Sequence, residues 1–172
     1  RQVRAGQTDS AMANQNRAIE FGLLLSLPAA VALWLLSDPI IRVLFERGRF
    51  GPDDTLRTAS ALAAYVVGLP AYVLIKALTP GFFAREDTRT PLYIAIVAIV
   101  VNVILNVFFL YGTSLAQVGV ALATSLSGWL NAAMLAIVLH RRGHLTADQR
   151  LVSRSWRMLV ATIGMGIALW GA

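Results

Sequence analysis

A single lysine and a nearby arginine are the charged residues of this sequence whose positions indicate binding chemistry. Lys76 lies inside an apolar run, and Arg85 follows nine residues later in a charged segment. A charge inside a membrane span costs about 2.5–3.5 kcal/mol on insertion scales, so such a residue indicates function by default. Because both cations suit phosphate groups, we predict that they lie on a substrate path. The alternative is that Lys76 extends to the membrane surface.

Polar residues recur at helical spacing in two further apolar runs. Asn102 and Asn106 lie four residues apart in one run, and Thr124, Ser127 and Asn131 follow the same pattern in the next. Such spacing places each set on one face of a helix, so the two faces can meet. They would form either a small polar or cation site, or hydrogen bonds between helices, which are worth about 0.6–2 kcal/mol each.

Signatures of enzymes and of resident metals are missing. The chain has no cysteine, and its two histidines, His140 and His144, lie in a basic segment. It contains no HExxH, no glycine-rich phosphate loop followed by Lys-Ser or Lys-Thr, and no GxSxG. We therefore predict neither catalysis nor a resident cofactor or metal.

Composition indicates a membrane protein. Of the 172 residues, 57% are hydrophobic and 14% are charged, whereas soluble domains carry roughly 25% charged residues. The net charge of +6 does not indicate nucleic-acid binding, because the arginines flank apolar runs and form no stripe with interleaved aromatic residues. We predict an all-α, polytopic membrane helix bundle.

Five apolar runs have the length of a membrane span, which is about 20 residues. The second run is the least regular, since it contains Gly68 and Pro70 and closes on Pro80-Gly81, and Pro28 is a predicted kink in the first. The segments are a cytoplasmic arm at 1–18, spans at 19–36, 55–79, 92–111 and 115–139, an interfacial helix at 39–48, a basic cytoplasmic loop at 140–154, and a truncated fifth span at 155–172.

Arginine counts predict the orientation, because cytoplasmic loops carry an excess of basic residues. Four arginines lie on the side of the first connection, and ten lie on the side of the N-terminal arm, which is therefore predicted to be cytoplasmic. The four are Arg42, Arg47, Arg49 and Arg57, and the ten are Arg1, Arg4, Arg17, Arg85, Arg89, Arg141, Arg142, Arg150, Arg154 and Arg157.

Several motifs resemble one known family over nearly the whole chain. They are the segments Leu44-Phe45-Glu46-Arg47-Gly48-Arg49-Phe50, Lys76-Ala77-Leu78-Thr79-Pro80-Gly81-Phe82-Phe83-Ala84-Arg85, Asp87-Thr88-Arg89-Thr90-Pro91, Val101-Asn102-Val103-Ile104-Leu105-Asn106 and Gly119-Val120-Ala121-Leu122. In order and spacing they are similar to the MurJ/MviN family of lipid II flippases.

The resemblance implies helices nine to thirteen of a two-lobed fold of fourteen helices in a bacterial inner membrane. Members of this family move lipid II, an undecaprenyl-pyrophosphate-linked peptidoglycan precursor, from the inner to the outer leaflet by alternating access. The implied partners are lipid II, membrane lipids and the remaining helices of the same polypeptide, with no nucleic acid and with the oligomeric state left open. Both ends of this chain are expected to continue into a longer protein.

The same resemblance implies site residues. The sodium ligands of some members match Asn102, Asn106, Val120 through its carbonyl, and Thr124. Asn106 stands where those members have an acid, so the driving force, Na⁺ or the membrane potential, stays open. The alternative functions are another exporter of the same superfamily, for a drug or a different lipid-linked glycan, and a membrane scaffold without cargo.

Overall fold

The computed structural model describes residues 2–113, 116–143, 145 and 149–170, with side chains over 12–113, 117–143, 145 and 156–169. All regular secondary structure in these ranges is helical, which confirms the predicted all-α fold. The helices are α1 (Gln2–Leu35), α2 (Ser37–Phe45), α3 (Pro52–Val66), α4 (Leu69–Phe83), α5 (Arg89–Gly112), α6 (Ala116–Arg141) and α7 (Gln149–Trp170).

Four stretches of the described chain are long and apolar enough to cross a membrane. They are Met12–Leu35, Pro52–Phe83, Arg89–Gly112 and Gln117–Arg141, and the second combines α3 with α4. The predicted fifth span corresponds to α7, where the described residues include the apolar stretch Trp156–Leu169. The described part of the chain is therefore a polytopic helical bundle with four candidate spans and a further apolar helix.

Helix α6 packs against α3, α4 and α5, and helix α1 packs against α3, α4 and α7. Phe82, Leu135 and Leu139 are at most 1% exposed and form the core with Ile19 and Leu78. We call the end of the bundle that holds the α4–α5 connection and the end of α6 the proximal end. Many large apolar side chains of α5 are exposed. This exposure is expected of a membrane helix whose surface contacts lipid or other parts of the protein.

The second span is broken between α3 and α4, as its irregular sequence predicts. Pro70 has no N–H to donate to the carbonyl four residues before it, and the Gly68 N–H bonds the Tyr65 carbonyl at 2.9 Å instead of continuing the α-helical pattern. In a membrane, backbone groups freed by such a break must find partners inside the protein.

Side chains of α6 supply those partners. The Ser125 hydroxyl donates to the Ala64 carbonyl at 2.7 Å, and the Trp129 indole N–H donates to the Val67 carbonyl at 2.9 Å. Gly68 is in close contact with α6, because a Cβ added there would lie 2.8 Å from the Ser125 hydroxyl oxygen and 3.0 Å from its Cα. The break is therefore a fixed joint that is held by α6.

Several helix ends differ from the sequence-based expectations. The segment predicted as an arm at 1–18 is helical from Gln2 and continuous with the first span, although Pro28 lies inside α1. Helix α4 continues through Pro80-Gly81 to Phe83, because the carbonyl that Pro80 frees is only one of many in the helix. Helix α2 ends at Phe45, so Gly48, at φ +63°, belongs to the turn beyond it.

Candidate functional site

Lys76 and Arg85, the two predicted substrate-path residues, line one cavity of about 280 Å³ between α1 and α4. The Arg85 guanidinium donates one hydrogen bond to the Gly81 carbonyl at 2.6 Å, which leaves its other N–H groups available. Lys76 is exposed and forms no hydrogen bond or ion pair with a described residue. The structure thus brings both predicted cations to one cavity, which we call the basic cavity.

Gln15 of α1 is the buried polar residue of the basic cavity. Its side chain is 9% exposed, and its amide nitrogen has no hydrogen-bond partner in the described structure. A Cβ added at Gly81 would lie 2.6 Å from that nitrogen, so any larger residue at position 81 would force the Gln15 amide to move. The sequence carries no signal for this role, because Gln15 falls in the segment predicted as an arm.

The polar faces of α5 and α6 meet, as their spacing predicts. Asn106 donates to the Asn102 side-chain oxygen at 2.9 Å, and Asn102 donates to the Ser127 hydroxyl at 3.1 Å. Ser127 in turn donates to the Thr124 carbonyl at 3.0 Å, which also accepts a 3.0 Å hydrogen bond from the Tyr72 hydroxyl of α4. One hydrogen-bonded cluster therefore joins three helices beside a cavity of about 280 Å³.

The predicted cation ligands belong to or adjoin this cluster. The Thr124 hydroxyl donates to the Val120 carbonyl at 2.9 Å, and the Asn106 side-chain oxygen is buried without a donor in the described structure. Neutral oxygens of this kind suit a hard cation, and an orphan buried acceptor is the feature that such an ion would satisfy. Cation binding by Asn102, Asn106, Val120 and Thr124 stays a prediction, since hydrogen bonds within and between the helices explain the same contacts.

An ion pair at the proximal end joins the end of α6 to the α4–α5 connection. Arg142, just beyond α6, forms an ion pair with Asp87 in the α4–α5 connection, and its guanidinium also donates to the Thr90 hydroxyl at 3.0 Å. Hydrogen bonds from the side chain and backbone of Thr90, followed by the contact with Arg142, hold the pKa of Asp87 well below its ordinary value. Asp87 therefore links the α4–α5 connection to the residue that follows α6.

In the residues that the structure describes, no group of three or more His, Asp or Glu side chains is placed to hold a metal ion. Sequence reasoning missed Tyr72, Ser125 and Trp129, which connect α6 to the broken second span. Nothing in their spacing distinguishes them from ordinary span residues. Ser125 and Trp129 donate to backbone carbonyls at the break, and Tyr72 donates to the Thr124 carbonyl inside α6.

Fold and polar clusters together define a polytopic helical membrane protein in which polar side chains join the helices and two cations line one cavity. The family model described as "Lipid II flippase MurJ" matches residues 1–172. The chain belongs to the MurJ family.

Curated relatives agree with this assignment. A probable lipid II flippase MurJ of Rhizobium tropici is 50% identical over 166 residues, which are 96% of this chain and 31% of the relative. A probable lipid II flippase MurJ of Rhizobium meliloti (strain 1021) is 48% identical over 172 residues, 100% of this chain and 32% of the relative. The lipid II flippase MurJ of Thermosipho africanus (strain TCF52B) is 39% identical over 113 residues, 66% of this chain and 23% of the relative. The chain thus spans about a third of the length of the first two relatives.

Proposed function

We propose that the protein containing this chain is a lipid II flippase, a transporter and not an enzyme, which moves the precursor from the inner to the outer leaflet of the bacterial inner membrane. The family match and the names of the relatives support the activity. The observation that carries it to this chain is the basic cavity, which holds Lys76 and Arg85. A pyrophosphate headgroup cannot cross about 30 Å of hydrocarbon without such cations.

In this proposal the proximal end faces the cytoplasm. The excess of arginines on that side supports the orientation, and it places the basic cavity at the leaflet from which lipid II is taken. The partners are lipid II, the membrane lipids and the remaining helices of the same polypeptide.

Energy coupling is a separate part of the proposal. We assign Asn102, Asn106, Val120 and Thr124 as a weak Na⁺ site, because these residues present oxygens and include the orphan acceptor of Asn106. No acid stands at Asn106, so the membrane potential acting on the cargo is the other driving force to be tested.

Depletion of the protein in its own cells tests the activity. We expect lipid II to accumulate in the inner leaflet, where a membrane-impermeant enzyme that cleaves lipid II from the outside cannot reach it, and we expect lysis. Normal cleavage and normal growth after depletion would exclude the flippase. Restoration of cleavage by the plasmid-borne wild-type protein is the control.

A further inference from the structure

We infer that Asp87, Thr90 and Arg142 form a clasp that positions Arg85 at the proximal end of the basic cavity. None of the three residues lines that cavity, so they act through Arg85 and are positioning residues. The inference rests on the proposed function for the role of Arg85. It concerns the α4–α5 connection, to which that function assigns no role, and one of its tests does not require transport.

The chain reverses direction immediately after Arg85. The Glu86 N–H donates back to the Phe83 carbonyl at 3.0 Å. The Asp87 N–H donates to the Phe82 carbonyl at 3.1 Å, which completes the hydrogen-bond pair of a Schellman motif. That motif requires a left-handed residue, and Glu86 adopts this conformation at φ +60°. Because a Cβ is strained there, other contacts must hold the turn in place.

The clasp supplies these contacts from α5 and from the end of α6. One carboxylate oxygen of Asp87 accepts a hydrogen bond from the Thr90 N–H at 3.0 Å, in the first turn of α5. The other oxygen pairs with the guanidinium of Arg142. A second nitrogen of that guanidinium donates to the Thr90 hydroxyl at 3.0 Å. The strained turn is thus tied to two further helices.

Arg85 is attached directly to this turn. Its N–H donates to the Phe82 carbonyl at 2.9 Å, and the same carbonyl accepts from the Asp87 N–H. Only Glu86 separates Arg85 from Asp87, so a change in the turn moves the backbone that carries the Arg85 guanidinium. An arginine that contacts two phosphate oxygens at once depends on its orientation. The clasp therefore sets the orientation of Arg85 without contacting the cargo.

Loss of the clasp should act locally. The side chains of Arg142 and Asp87 are 45% and 23% exposed, and exposed ion pairs contribute little to the stability of a whole protein. Removal of Arg142 should therefore loosen the α4–α5 connection more than it destabilises the bundle. This difference separates a positioning role from a purely structural one.

Hydrogen exchange of the intact protein in dodecyl maltoside measures the turn directly. Arg142→Met keeps a long side chain without a donor, and we expect the amides of Glu86 and Asp87 to exchange roughly fivefold faster in this variant. Arg141→Met is the matched control, because Arg141 is exposed at the end of α6 and takes no part in the clasp. Unchanged exchange in Arg142→Met, or equal acceleration in the control, would overturn the clasp.

Transport of fluorescent lipid II by the intact protein in proteoliposomes tests the positioning of Arg85. In Arg142→Met we expect the half-saturating mole fraction of lipid II to rise roughly fivefold, at an unchanged maximal rate per folded protein. Glu86→Gly, added to the same variant, should restore half-saturation, because glycine adopts the left-handed conformation without strain. Recovery of the thermal unfolding midpoint without recovery of half-saturation would overturn the positioning role.

The two measurements separate this inference from the proposed function. Faster exchange in Arg142→Met, together with no transport of lipid II by the wild-type protein, refutes the function and supports the clasp. Transport by the wild-type protein, with unaltered exchange and half-saturation in Arg142→Met, refutes the clasp and supports the function.

Discussion

Ser125 permits a quantitative test of the joint between α3 and α4. Its hydroxyl donates to the Ala64 carbonyl at 2.7 Å, with a longer contact of 3.3 Å to the Tyr65 carbonyl. Tyr65 keeps a second donor, the N–H of Gly68, whereas Gly68 no longer reaches Ala64 as it would in a continuous helix. Substitution of Ser125 by alanine therefore leaves one buried carbonyl without a donor.

The expected loss of stability follows from this one unpaired carbonyl. An unsatisfied buried acceptor costs about 1–3 kcal/mol, and hydrogen bonds between membrane helices average about 0.6 kcal/mol with a maximum near 2. We expect Ser125→Ala to lower the free energy of unfolding by about 1–2 kcal/mol. The upper half of the membrane range applies, because Ser125 is 1% exposed and neither lipid nor water can replace it.

Equilibrium unfolding of the intact protein in mixed micelles, at increasing mole fraction of sodium dodecyl sulfate, measures this difference. Ser60→Ala is the matched control. The Ser60 hydroxyl also donates to a backbone carbonyl, that of Leu56, but both residues lie in α3 and this hydrogen bond is exposed. That carbonyl keeps its helical N–H partner, so the control should change little. A loss below about 0.3 kcal/mol in Ser125→Ala, or an equal loss in the control, would refute the account of the joint.

Three further predictions test other contacts. Gly68→Ala should push the α3–α4 joint away from α6, because the added methyl group would lie 3.0 Å from the Ser125 Cα. We expect it to lower the thermal unfolding midpoint more than Ser125→Ala does. Asp87→Asn should destabilise the protein above pH 5, because the pKa of Asp87 is lowered in the folded state. The difference should begin to shrink as the pH falls below about 3.9, the ordinary pKa of an aspartate, and should be lost only as the pH falls through the lowered pKa of Asp87; unfolding curves at several pH values measure it. Asn106→Asp should raise the affinity for Na⁺ at least roughly tenfold, because a carboxylate joins the neutral oxygens; ²²Na⁺ binding to the purified protein checks it.

Apolar run lengths were sufficient to predict the four long apolar stretches, and Gly68 with Pro70 indicated the irregular second span, because both signals are local in the sequence. Run length defines a span, and Gly68 with Pro70 interrupts one. The meeting of Asn102 with Ser127 was also predictable, since the spacing fixes the faces and the short connection between the helices makes them neighbours.

Contacts that depend on the relative rotation of distant helices were not predictable. Gln15 faces Gly81 because α1 extends on the N-terminal side of its apolar run and packs on α4 there. Likewise, the pairing of Asp87 with Arg142 requires α6 to end beside the α4–α5 connection. Periodicity defines which residues share a face, but it does not specify which helix that face will meet.

The most direct test of the central claim is the flipping of lipid II by a Lys76→Gln variant, expressed as the only copy in depleted cells. We predict that externally added enzyme cleaves far less lipid II than in cells with the wild-type protein, at equal amounts of protein in the membrane. Arg141→Gln, which removes an exposed charge at the same end of the bundle, should support normal cleavage. Full cleavage with Lys76→Gln would contradict the assignment of the basic cavity to the substrate path.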